Sequence, residues 1–148
     1  MKYFVLLFVC LIASCAEQSK PLVVKTHTLR DQDVNQADDP MVRHEKLRRL
    51  YGAVSMEERR QRLGQYYTVI WHLPETSDSK REILFQYQQG KTGSLVKTMK
   101  SSLGGNSGKE EFKIIGDDFF DNGRVLAWKI SLIAGGETIA SEQSYLWE

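Results

Sequence analysis

Reactive side chains are scarce in this chain. Of its 148 residues only two are cysteine, Cys10 and Cys15, so nothing after them offers a thiol for a disulfide, a metal cluster or a nucleophile. Histidine occurs three times, as His27, His44 and His72, and none belongs to an H-E-x-x-H pair or another metal-ligand spacing. No serine occupies a nucleophile elbow, and a serine without a positioned base is merely polar. There is no P-loop and no dinucleotide fingerprint, so neither a cofactor nor a metal is expected. An excess of one charge is also lacking: 20 Lys and Arg face 19 Asp and Glu, a balance that argues against bulk attraction to nucleic acid. The apolar run at residues 3–13 is too short to span a bilayer, which takes about 20 residues.

That run is flanked informatively. Lys2 precedes it and Ile12-Ala13-Ser14-Cys15 closes it, the layout of a positive n-region, an apolar core and small residues at a cleavage site. The closing segment resembles the lipobox of bacterial lipoproteins. The resemblance implies transfer of a diacylglycerol group to the Cys15 thiol, cleavage just before it by a type II signal peptidase, and acylation of the new amino terminus. Cys10 is a poor acceptor, because bulky Phe8 and Val9 precede it. On this reading residues 1–14 leave as a signal peptide, and an oxidising compartment receives a domain held by its core alone. Two or three acyl chains anchor stably where one is marginal. The implied location is extracytoplasmic, with a membrane as the first partner; Ala16 after the cysteine resembles the pattern that sorts to the outer membrane.

Residues 15–40 are polar and read as the lipidated N-terminus and a linker, with a flexible reach of roughly 25 to 30 Å. Within them residues 22–29 have the β-branched alternation of a short strand, and residues 31–40, with four aspartates and a final proline, read as solvated chain. Residues 41–148 then form one domain, helical over 41–63 and β over 65–148. Leu47, Leu50, Tyr51 and Val54 recur at helical spacing and predict a buried stripe. Gly52 interrupts the segment and Ser55-Met56-Glu57-Glu58 is a capping-box pattern, so two short helices are favoured, with Gly64 as a stop.

Beyond Gly64 the pattern has period two, in segments 65–73, 81–89, 94–102, 109–116, 124–134 and 137–147. Leu126, Trp128, Ile130 and Leu132 are expected on one face of the fifth, and Gly135-Gly136 is a hairpin signal. Six or seven antiparallel strands make a mainly β sandwich preceded by one or two short amphipathic helices. In strand number, spacing and aromatic content the β region resembles immunoglobulin-like or fibronectin-type sandwiches, without the Cys-Trp-Cys hallmark. Helices packed on one antiparallel sheet form the competing α+β architecture.

Two segments invite a site. Residues 41–62 carry seven Lys and Arg against three Glu, and Arg48, Arg49, Arg59 and Arg60 form the candidate interaction patch, for anionic head groups, peptidoglycan or an acidic envelope protein. The alternative for the same residues is a solvated helix face. Asp117, Asp118, Asp121 and Asn122 before Gly123 are ordinary turn chemistry, without the alternating spacing of a calcium loop. Gly104-Gly105-Asn106-Ser107-Gly108 reads as a hairpin loop. No catalytic motif is present, so a non-enzymatic binding, scaffolding or assembly module of the envelope is expected. The alternative is a small hydrolase or carbohydrate-processing enzyme using Asp117, Asp118 and Glu142.

Overall fold

The computed structural model describes residues 20–73 and 80–147; the lipobox and Cys15 lie outside them. Seven antiparallel strands form two sheets. The strands are β1 (Leu22–Leu29), β2 (Gly64–His72), β3 (Arg81–Gln89), β4 (Val96–Leu103), β5 (Ser107–Ile115), β6 (Val125–Ala134) and β7 (Glu137–Gln143). One sheet has the order β1-β2-β5 and the other β4-β3-β6-β7. Helices α1 (Pro40–Leu50) and α2 (Met56–Arg60) fall between β1 and β2, and α3 (Gly116–Asn122) between β5 and β6. Mainly β, two-layered and antiparallel, the fold is the expected sandwich. In a constant-type immunoglobulin domain the fourth strand joins the first, second and fifth. Here β4 lies beside β3 instead.

The core is where the two sheets' alternating residues meet. Tyr67, Val69 and Trp71 from β2 and Phe112 and Ile114 from β5 pack on Ile83, Phe85 and Tyr87 from β3 and on Ile130 and Leu132 from β6. The ring of Phe85 lies 4.7 Å from that of Tyr67, 4.9 Å from Tyr87 and 5.2 Å from Phe112, centroid to centroid, so one side chain joins both layers. Opposite Trp71 in the ladder stands Gly108, where a Cβ would come within 2.5 Å of the indole. The glycine is there because the ring lies across its strand.

Several sequence expectations are corrected. The strand read over 22–29 forms with the same bounds as β1, but it belongs to the sandwich instead of a free linker, pairing with β2 along its whole length, from Leu22 opposite Trp71 to Leu29 opposite Gly64. Residues 31–38 are tied back as well: Lys46 Nζ donates to Asp31 Oδ1 at 2.8 Å, Asp38 Oδ2 at 3.0 Å and the Asp33 carbonyl at 3.2 Å. In β6 a bulge opposite Gln88 and Gln89 puts Val125 into the core and leaves Leu126 exposed. One extra residue reverses the alternation beyond it. Trp128 is half-buried against the core, edge-on to Tyr67 at 5.6 Å. The glycine-rich loop joins β4 to β5 across the two sheets and is no hairpin. The aspartate-rich turn forms α3.

The hairpin and cap signals act as expected. Gly135 and Gly136 have φ of 61° and 88° between β6 and β7, as such a tight turn requires. Pro40 begins α1 after Asp39, whose side chain accepts from the Met41 N–H. The capping box forms: Ser55 Oγ accepts from the Glu58 N–H and Glu58 Oε2 from the Ser55 N–H. Two helices result, as favoured. Gly64 is the first residue of β2 and no helix stop; a Cβ there would collide with the Ile114 carbonyl.

Candidate functional site

The first sheet is covered on both faces. On its outer face, near the Leu29 end, Leu29, Leu50, Leu63 and Tyr66 make a second small core with Ile115 and Phe120. Above it lies a charged network in which α1 meets the sheet. The Arg49 guanidinium stacks 3.7 Å over the Tyr66 ring, with Nε donating to Glu45 Oε1 at 2.8 Å and Nη1 to Glu111 Oε1 at 3.0 Å. Arg48 grips Glu45 with two bonds of 2.7 and 2.9 Å, and Lys113 stands 3.6 Å from Glu111. Arg62 Nη1 donates to the carbonyls of Arg49 and Tyr51, and the Tyr66 hydroxyl to the Arg62 carbonyl at 2.5 Å. These groups line a cleft of about 380 Å³.

Electrostatics follow from this crowding. Hydrogen bonds from Arg48, then the surrounding guanidinium charges, outweigh burial and hold the Glu45 carboxyl down at about 2. His27, opposite Tyr66 in the ladder, has its pKa lowered first by burial and then by Arg49, so the imidazole is neutral among cations. Its Nε2 is buried and has no hydrogen-bond partner among the described residues.

A pH prediction follows from Glu45. Its folded pKa is depressed from 4.5 to about 2, so its stabilising contribution is complete above pH 4.5 and is lost as pH falls towards 2. Urea midpoints should fall through that window, and less steeply in Glu45→Gln. Parallel acid profiles of wild type and variant would contradict it.

The four arginines expected to form a docking patch are all engaged. Arg49 is buried. Arg59 Nε donates to the Ala53 carbonyl at 3.3 Å, and Arg60 stacks 4.3 Å over Phe120 while lying 3.4 Å from Asp117. Arg48 and Arg60 keep part of their side chains in solvent, and the fork of Arg48 is filled by Glu45. The acids named for the enzyme reading each bind a partner of their own. Asp118 holds Lys97 at 2.8 Å, Asp117 binds Gln61 and Arg60, and Glu142 accepts from the Val24 N–H at 2.9 Å, bridging β7 to β1. Among the described residues no group of three or more His, Cys, Asp or Glu is placed to hold a metal.

What the sequence pattern concealed is that α1 is inverted. Its cations Lys46 and Arg49 face inward, whereas Met41, Leu47 and Tyr51 face out, Met41 at 82% and Tyr51 at 84% exposure; Val54, at 88%, and Met56 extend this apolar surface along the turn to α2. Of the expected stripe only Leu50 is buried: Leu47 lies within α1 but turns to solvent, and Tyr51 and Val54 lie beyond its end at Leu50. Gly52, with φ of 80°, was the available signal that Tyr51 and Val54 leave the helical register.

Fold and site together define a two-sheet β-sandwich with an apolar, cation-rimmed helical surface on one layer. No protein-family model, no curated protein and no solved structure matches the chain.

Proposed function

We propose that the protein is an extracytoplasmic lipoprotein of the bacterial envelope, acylated at Cys15 and favouring the outer membrane, whose sandwich is a non-enzymatic binding or scaffolding module. The observation that carries the module is the outward apolar face of Met41, Leu47, Tyr51 and Val54. Large exposed apolar side chains gathered on one short segment mark a contact site, and the ion pairs of Arg49 hold α1 to the sheet beneath them. The cations inherit a supporting role. The anchor rests on the resemblance of Ile12-Ala13-Ser14-Cys15 to a lipobox.

The two parts are tested separately. Cys15→Ser should abolish labelling by a palmitate analogue and leave an uncut precursor, while Cys10→Ser is processed normally; label persisting on Cys15→Ser would refute the anchor. For the module, Leu47→Ser with Tyr51→Ser should leave the unfolding free energy within about 0.5 kcal/mol of wild type, because the positions are exposed, yet remove the crosslinks made at Val54 in the native envelope. An unchanged crosslinking pattern would rule out this face.

A further inference from the structure

We propose that the apolar face of α1 and the α1–α2 turn rests on the anionic surface of the membrane that carries the anchor, so that the domain lies on the bilayer, held at two points. The inference rests on the lipoprotein reading and names the component its face contacts. Three features argue for lipid. First, the outermost side chains, Tyr51 and Val54, are each more than four-fifths exposed. They protrude, and a deformable lipid interface receives protruding apolar groups without a matching pocket, as interfacial amphipathic helices do. Tyr51 is also a residue type favoured at the head-group level, with an apolar ring and a polar tip.

Second, the charge is complementary to anionic lipid. Cations outnumber acids around the face: residues 41–62 carry seven Lys and Arg against three Glu, of which Glu45 is bound by Arg48 and Arg49, Glu57 lies 3.6 Å from Arg60, and Glu58 accepts from the Val54 N–H. Arg48 and Arg60 remain partly exposed at the rim, where cations are attracted to an anionic surface.

Third, the tether reaches. β1 starts at Leu22, seven residues after Cys15, a span of at most about 25 Å when fully extended. The strand then runs roughly 25 Å to Leu29, which packs against Leu50 at the end of α1. Leu22, where the tether joins, and the helical face thus stand at opposite ends of one layer. With the strands along the bilayer plane both reach it, and the tether raises the local concentration for the second, weaker contact.

The cysteine count supplies the test. Once Cys10 is removed and Cys15 acylated, Val54→Cys carries the only free thiol. An environment-sensitive fluorophore on it, in full-length processed protein added to phosphatidylglycerol/phosphatidylethanolamine vesicles, should shift to the blue and be quenched by brominated acyl chains. The same label on Lys100→Cys, on the other sheet, should do neither. Tyr51→Ser with Met56→Ser should remove most of the quenching at Val54 while the circular dichroism is unchanged. Equal responses at the two positions, or none on anionic vesicles, would overturn the proposal and assign the face to a protein. Palmitate labelling of the same preparation separates the failures. Acylated protein without quenching sinks this inference alone, and quenching without acylation sinks the anchor alone.

Discussion

Replacing Phe85 with alanine is expected to lower the unfolding free energy by about 3 to 5 kcal/mol, as for other buried large-to-small changes. The side chain is fully buried and its ring touches Tyr67, Tyr87 and Phe112, rings contributed by both layers. The hole cannot close by a local shift, since β3 is held on one side by β4 and on the other by β6. Domains of this size have about 5 to 15 kcal/mol in total, so the variant should lie near the edge of folding. Trp128→Ala, at a half-buried position, should cost clearly less. Urea denaturation of both decides the matter: a loss below about 1 kcal/mol for Phe85→Ala, or a larger one for Trp128→Ala, would show that the core is not centred where the rings meet.

Arg49→Leu should be the most damaging change in the helical segment, at about 2 to 3 kcal/mol. Breaking one partner out of a buried pair costs about 3 to 5 kcal/mol, and the carboxylates of Glu45 and Glu111, 28% and 22% exposed, recover part of this from water. The Arg49 side chain is 4% exposed and also covers Tyr66; that of Arg48, bound to the same glutamate, is 49% exposed. Exposed pairs are worth about 0 to 1 kcal/mol, so Arg48→Leu should be close to neutral. Arg49→Lys should rescue little, because an ammonium cannot bridge two carboxylates with a planar fork. Equal losses for Arg48→Leu and Arg49→Leu would mean that the network does not hold α1 to the sheet.

This contrast also shows why the arginines could not be sorted from the sequence. Arg48 and Arg49 are adjacent and chemically equal, and what separates them is the sheet: Arg49 stacks on Tyr66 and donates to Glu111 at 3.0 Å, whereas Arg48 comes only within 4.0 Å of that carboxylate. The outward face of α1 was hidden for a similar reason: helical spacing counts apolar residues but does not say which side meets the sheet. At Leu126 the period-two pattern failed because a bulge adds a residue that only the pairing with β3 reveals.

Local chemistry was readable from the chain. The β3 segment matches its strand at both ends, Gly135-Gly136 turns the last hairpin, and Ser55 with Glu58 starts α2, each through interactions spanning a few neighbouring residues. The alternation of apolar residues likewise settled that the fold would be mainly β and antiparallel. Tertiary structure alone decided that β1 belongs to the sandwich, that β4 joins β3, and that α1 turns Arg49 inward and leaves Arg48 in solvent. Those outcomes depend on partners distant in sequence, whose pairing energies no local pattern encodes. The candidate surface arises at that level: Tyr66 and Glu111 on the sheet claim Arg49 for the buried side of α1, while six apolar residues of the 41–56 segment stay exposed.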